Sequence, residues 1–310
     1  MIVHPDRRQF LQVSLGASAA AALAPASLSA AADPGWIDAH VHVWTDDLTK
    51  YPLAAGYTEA DLQPRTFLPT ELLRQARPEG VDRIVLIQMS FYKEDNRYML
   101  DTIAHQPEVF RGVAIIDPEA ASPKPVMREL KQQGVRGFRL YADREKAEAW
   151  QNSAAMKAMW AAGADEGMAM CLLANPDALP AIQRMCQAYP STPVVIDHFA
   201  RIGMKDGVQA DDLRQLCDLA QHPLTRVKTS AFYALGEKKA PYTDLGPMIR
   251  QLRDAFGANR LMWATDCPYQ VQESHTYHDS IALIRDRLDF LTEDDKQWML
   301  RGTAESVFFS

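Results

Sequence analysis

A closed (β/α)8 barrel, the TIM barrel of the α/β class, is predicted by three observations. Eight short apolar, β-branched runs are spread along the chain, and longer segments with helical periodicity separate them. No GxGxxG follows the first run, which removes the main signature of an open dinucleotide-binding sheet. The chain has 310 residues and is 47% hydrophobic, enough for one large core of this kind.

The strands are expected over residues 36–42, 83–88, 111–116, 135–140, 168–173, 193–197, 226–230 and 260–265. Runs such as "RIVLIQ" and "RLMWAT" are apolar at nearly every position, as parallel strands covered on both faces must be. Apolar residues at three- and four-residue spacing mark helices in "PTELLRQAR", "NRYMLDTIAHQ", "KPVMRELKQQG", "SAAMKAMWAAGADEG" and "DALPAIQRMCQAY". The one long connection, residues 43–67, carries Tyr51, Tyr57 and several prolines, and is expected to fold over a site as a lid.

Residues 1–32 stand apart from this pattern. Arg7 and Arg8 precede a weakly apolar, alanine-rich run that ends in small residues near Ala30 to Ala32, which reads as an export signal. The segment resembles a twin-arginine (Tat) signal through Arg7, Arg8, Phe10 and Leu11, with Asp6 and Gln12 in place of the usual hydroxyl residue and lysine. The organisation expected is a Tat-like signal over 1–32, a barrel over 33–310, and a periplasmic location. No later apolar run is long enough to span a bilayer, so no membrane partner is expected once the signal is removed.

Lys and Arg number 33 against 40 Asp and Glu, a net charge of −7, and the acidic residues are scattered. Without a basic patch there is no electrostatic footprint for nucleic acid. Cys171, Cys186, Cys217 and Cys267 are too few and too widely spaced for a disulfide scaffold, and no CxxC suggests structural zinc. The partner expected is a small-molecule substrate, with a homodimer as the assembly that barrels of this kind often form.

The chemistry is carried by "IDAHVHVW". Side chains alternate along a strand, so His40 and His42 share one face with Asp38 beneath them, and in a barrel that face is the interior. The pair ends the strand, where barrel active sites are built, and can act as a chelating or an oxyanion-stabilising pair. "VVIDHFARI" brings His198 to the end of the sixth strand, and "LMWATDCPY" brings Asp266 to the end of the eighth. Three separate strand ends thus deliver three imidazoles and one carboxylate to one rim, which packing alone does not require.

These motifs resemble the amidohydrolase superfamily, in particular its amidohydrolase-related branch of lactone hydrolases, such as 2-pyrone-4,6-dicarboxylate and sugar-acid lactonases, and some decarboxylases. The resemblance rests on "DAHVHVW", "VLIQMSFYKEDNRYML", "GVRGFRLY", "VVIDHFARI", "VKTSAFY", "WATDCPY" and "LRGTAESVFF", and covers residues 36–308. It implies a barrel hydrolase in which Asp266 takes a proton from the attacking water, while His40, His42 and His198 surround the carbonyl oxygen or a metal. The fifth strand offers Cys171, Leu173, Ala174 and Asn175 where metal-dependent relatives carry histidine, and the bridging lysine of two-metal relatives is absent, so a binuclear site is not expected. The cofactor stays open between none and one zinc or manganese ion on His40, His42 and Asp266. The missing fifth-strand histidine favours none.

Around this centre, Arg139 and Tyr141 end the fourth strand, and Arg139 is placed to hold a substrate carboxylate. Gln88, Ser90 and Tyr92 on the second strand, Lys228 and Ser230 on the seventh, Arg201 after His198 and Tyr269 after Asp266 are the further pocket candidates. Their polarity suits a small oxygenated acid or sugar lactone. His275 and His278 read as surface or loop histidines, and His105 and His222 as partners of helix C-termini. Three functions compete: a lactone or ester hydrolase, a metal-dependent decarboxylase of an unsaturated or aromatic acid, and a noncatalytic module for a sugar acid. The four rim residues favour the first.

Overall fold

Eight parallel strands pair in chain order: β1 Trp36–Val41, β2 Val81–Ile87, β3 Phe110–Ala114, β4 Val135–Ala142, β5 Ala169–Ala174, β6 Val194–Ile196, β7 Thr225–Thr229 and β8 Leu261–Trp263. The structure, a computed structural model, describes residues 35–120 and 122–310; the export-signal reading of residues 1–32 lies outside them. The seam between β1 and β8 is closed at the C-terminal ends of the strands. There the His42 amide donates to the Cys267 carbonyl at 2.8 Å and the Asp266 amide donates to the His40 carbonyl at 2.9 Å. Closing the barrel is therefore the same event that brings Asp266 beside the two histidines.

Helices α1 Pro69–Ala76, α2 Arg97–His105, α3 Pro123–Gln132, α4 Arg144–Trp150, α5 Ala154–Glu166, α6 Leu179–Ala188, α7 Ala210–Asp218, α8 Gly246–Phe256, α9 Tyr277–Ala282 and α10 Glu293–Gln297 cover the outside. The five helices expected from periodicity are α1, α2, α3, α5 and α6. The ends of α5 show why: the Ser153 hydroxyl accepts from the Met156 amide at 3.0 Å, and Gly167, at φ 65°, takes the left-handed conformation that stops the helix.

Strands β6 and β8 are shorter than expected, each three residues. After β6 the chain turns into left-handed backbone at four consecutive residues, His198 to Arg201, with φ between 51° and 59°. After β8 the Thr265 amide leaves the sheet to donate to Asp38 Oδ1 at 3.0 Å. Asp38 also accepts from the Thr265 hydroxyl at 2.5 Å and the Tyr277 hydroxyl at 2.8 Å, so this buried carboxyl ties β1 to the segment after β8. Burial dominates its surroundings and raises it to about 6.

The barrel interior is filled by Ile37, Val85, Val113, Val195, Met262 and their neighbours, and Phe308 near the C-terminus packs into the same cluster. Gly137 allows β4 to approach β5, since a Cβ there would stand 2.9 Å from the Ala169 carbonyl oxygen. The 43–67 connection does not close over the barrel mouth. It packs sideways, with Trp44 and Phe67 exchanging backbone hydrogen bonds, Trp44 edge-on to Phe91 at 5.5 Å, and the Tyr51 hydroxyl donating to Asp101 at 2.6 Å. Buried aromatic surface pulls it down against the flank, where a lid would leave those rings in water. Among the described residues no helix is long and apolar enough to cross a membrane.

Candidate active site

Four side chains meet at the C-terminal mouth. Asp266 Oδ1 lies 3.2 Å from His42 Nε2 and 3.5 Å from His40 Nε2, and its Oδ2 lies 3.8 Å from His198 Nε2. The two β1 imidazoles stand with their Nε2 atoms 3.3 Å apart. All four residues are buried. Asp266 is held at φ 68°, a left-handed conformation that favours glycine, and His198 begins the left-handed run after β6. Backbone of this kind costs about 1–3 kcal/mol per residue and persists only where its surroundings impose it.

A cavity of about 260 Å³ opens onto this cluster, lined by His42, His198 and Asp266 together with Arg139, Tyr141, Ser90, Arg201, Tyr233 and Tyr269, and by apolar Met89, Leu173 and Met204. His40 is fully buried and stands behind this wall, so among the three imidazoles it does not face the cavity. Ser230 is also behind it, with its hydroxyl 2.8 Å from His198 Nδ1. The Tyr141 hydroxyl donates to Ser90 at 3.0 Å across the mouth. Arg139 is 7% exposed, its Nε has no partner, and among the described residues no carboxylate pairs with it. Arg201, half-buried, donates to Asn175 at 3.1 Å.

Two of the pocket candidates from the second strand and its loop are placed elsewhere. Gln88 donates to the carbonyls of Lys93 and Asp95 at 3.0 and 2.7 Å, and the Tyr92 hydroxyl is 3.4 Å from the Thr45 backbone oxygen. Both hold loops together, because a buried amide or phenol takes the nearest unsatisfied backbone carbonyl. Lys228 is not a pocket residue either. It is fully buried, 3.0 Å from Asp197 Oδ1 and 3.2 Å from His40 Nδ1. His275 meets the Tyr242 hydroxyl at 2.7 Å, the exposed His278 meets the Glu79 carboxylate at 3.1 Å, and His105 the Asp101 carbonyl at 2.6 Å.

Sequence reasoning missed two functional neighbours. Tyr233 donates to Asp266 Oδ2 at 2.7 Å, and Asp197 forms the buried pair with Lys228. Asp197 carried a readable signal, a carboxylate at the end of an apolar strand run, whereas Tyr233 sits in a short turn whose direction the sequence does not specify.

Burial works against the Asp266 charge, but His198, then His42 and His40, outweigh it and hold the carboxyl well below the ordinary carboxylate range. For Asp197 burial is likewise overcome, here by the Lys228 ammonium and then His40, and it too stays ionised. Burial, then the Lys228 charge, pushes His40 well below 6.5, and burial lowers His198. Burial and then the Asp266 charge push the Tyr233 phenol far up, which keeps it a proton donor, and Tyr269 is raised to about 12 mainly by burial.

The donor spacing matches a metal. Separations of 3.2–3.5 Å among His40 Nε2, His42 Nε2 and Asp266 Oδ1 are the edges of a tetrahedron around an ion with bonds of about 2.0–2.1 Å, and His40, His198 and Asp266 likewise offer ligand atoms within 4.8 Å of one another. The proton placement does not match. A histidine that ligates through Nε2 carries its proton on Nδ1, yet His40 Nδ1 faces an ammonium, which has only protons to offer. The site as built therefore does not suit an ion held through His40.

The sequence matches the Amidohydrolase family over residues 37–309, and the chain belongs to that family; it is a hydrolase on a (β/α)8 barrel. Among curated relatives, an L-fucono-1,5-lactonase from Burkholderia ambifaria is 28% identical over 246 residues, 77% of this chain and 82% of that protein. A 4-sulfomuconolactone hydrolase from Hydrogenophaga intermedia is 27% identical over 76% of this chain and 75% of its own length. Among solved structures, an amidohydrolase from Burkholderia multivorans with bound zinc superposes with TM-score 0.74 at 20% identity, covering 88% of this chain and 99% of that one. The 2,6-dihydroxybenzoate decarboxylase from Rhizobium is more distant, with TM-score 0.63 and 12% identity over 89% and 98% of the two chains. At these identities the structural likeness establishes the fold alone.

Proposed function

We propose that this protein hydrolyses the lactone of a small carboxylated or sugar-derived acid, with Asp266 as the base. The observation that carries the reading is a buried carboxylate, Asp266, on the wall of a cavity that also holds Arg139, whose guanidinium lies over the Tyr141 ring and pairs with no carboxylate among the described residues. A buried guanidinium without a counter-charge is costly, and a substrate carboxylate supplies what is missing. The sequence relatives named as lactone hydrolases support the same substrate class.

Water held by Asp266 attacks the lactone carbonyl carbon and gives Asp266 its proton. Charge then develops on the carbonyl oxygen, and the His198 ring on the cavity wall is placed to donate to it. When the ring C–O bond breaks, the leaving oxygen takes the proton from Asp266, giving the hydroxy acid. Tyr233, protonated and bonded to Asp266 Oδ2, fixes the carboxylate plane throughout. No step passes through a metal. Decarboxylation of an unsaturated or aromatic acid is the less favoured reading, since the likeness to a decarboxylase is confined to the fold.

Asp266→Asn is expected to lower kcat on a responsive lactone by about 10²–10⁴-fold with the fold intact, the usual size of a lost general base. Full activity in this variant, or release of carbon dioxide in place of a hydroxy acid, would remove the proposal. Arg139→Gln tests the substrate side. It is expected to raise KM for a carboxylated lactone and leave an uncharged lactone unaffected, and equal losses on both would remove the carboxylate assignment.

A further inference from the structure

We infer that the buried Asp197–Lys228 pair fixes the tautomer of His40, making it a positioning residue for Asp266 and His42 and denying the site a metal ion. Three distances decide it. Lys228 Nζ lies 3.0 Å from Asp197 Oδ1 and 3.2 Å from His40 Nδ1, while His40 Nδ1 lies 3.5 Å from Asp197 Oδ1. A proton on Nδ1 would have to reach Asp197 beyond the ordinary range of about 2.7–3.2 Å and would also face the nearer ammonium. The ammonium has three donors and no acceptor, so it donates to Nδ1, and the His40 proton sits on Nε2. Asp197 Oδ1, 3.0 Å from Nζ, holds the ammonium in place. All three side chains are fully buried, so water does not compete.

The consequence reaches the reacting carboxylate. His42 Nδ1 lies 2.8 Å from the Ile87 carbonyl oxygen and must be the protonated nitrogen of that ring. His42 Nε2 stands 3.2 Å from Asp266 Oδ1. His40 Nε2 lies 3.3 Å from His42 Nε2 and 3.5 Å from Asp266 Oδ1, so the proton it carries is directed at the reacting carboxylate and its neighbouring ring. A metal ion would occupy the same place, and Lys228 excludes it by holding Nδ1 as the acceptor. His40 thus orients the base from behind the cavity wall without touching substrate, and Lys228 and Asp197 act through it.

The orientation of Asp266 toward water rests on the proposed hydrolysis; the tautomer and metal exclusion do not. The test begins with selectively 15N-histidine-labelled protein and a long-range 1H–15N correlation, the His40 signals being assigned by their loss in His40→Asn. The expected result is an unprotonated Nδ1 and a protonated Nε2. A proton on Nδ1 overturns the inference, and so does one zinc ion per chain retained by wild type after dialysis. The second arm uses Asp197→Asn combined with Lys228→Met, which removes both charges and leaves neither group buried alone. With near-UV dichroism unchanged, this variant is expected to lose the fixed tautomer and to bind added zinc more tightly than wild type. Lactone kcat should fall roughly 10–100-fold with KM little changed, the usual effect of a residue acting through another. Unaltered tautomer and zinc affinity in the double variant overturn the inference. If no lactone is turned over by wild type, the tautomer and zinc results still decide this point, and the lactone reading alone is lost.

Discussion

Asp266 is held by two kinds of contact, and Tyr233 supplies the one that reaches it from the cavity side, a 2.7 Å hydrogen bond to Oδ2. A hydrogen bond to a charged group contributes about 1.5–3 kcal/mol, so Tyr233→Phe is expected to lower kcat/KM roughly 10–100-fold. The change removes one oxygen and keeps the ring packing, so thermal stability should be close to wild type. Steady-state kinetics beside a melting curve checks both, and a variant with wild-type kcat/KM would show that Tyr233 does not hold the carboxylate. This residue was not legible in the sequence. It lies four positions after β7, in a short turn that follows left-handed Ala231, and local periodicity says nothing about where such a turn aims a phenol.

The strands show the opposite case. Alternation in β1 was enough to place His40 and His42 on the interior face, and the ends of β6 and β8 were enough to bring His198 and Asp266 to the same rim. The lengths of those two strands were not legible. A side chain, Asp38, takes the Thr265 amide that would have extended β8, and a run of left-handed residues ends β6. The C-terminal segment contributes a further element, since Phe308, fully buried, packs with Ile37, Val85 and Met262 in the barrel interior and lies beneath Lys228, whose Nζ is 5.6 Å from its ring centroid. Phe308→Ala should destabilise the fold by about 3–5 kcal/mol, read from denaturant unfolding, because the cavity left behind is closed on all sides. A loss below about 1 kcal/mol would show that the segment is not part of the cooperative core.

At the scale of the whole molecule, the buried carboxylates give stability a pH dependence whose sign can be worked out. Asp197 has an ordinary value of 3.8 and a lower one in the fold, so as pH drops below about 4 the unfolded chain binds a proton that the folded chain refuses. Stability from this group is therefore present above about pH 4 and is lost as pH falls toward the folded value. Asp266 acts in the same direction, whereas Asp38, raised to about 6, acts oppositely between its two values. Urea unfolding from pH 5 downward should show a steep acid limb in wild type and a shallower one in the Asp197→Asn, Lys228→Met double variant. Identical limbs would mean that Asp197 is not ionised in the fold.

The amino-acid sequence by itself determined the barrel, the order of its strands and the four residues at its mouth, because each follows from a local period: two along a strand, 3.6 along a helix. Only the tertiary structure decided what those four residues face. It put His40 behind the wall, sent Gln88 and Tyr92 to hold loops, left Arg139 without a carboxylate partner among the described residues, and brought Lys228 and Asp197 against His40 from positions more than 150 residues further along the chain. The physical reason is that proton placement and charge pairing depend on distances across the barrel interior, which no local pattern of residues encodes.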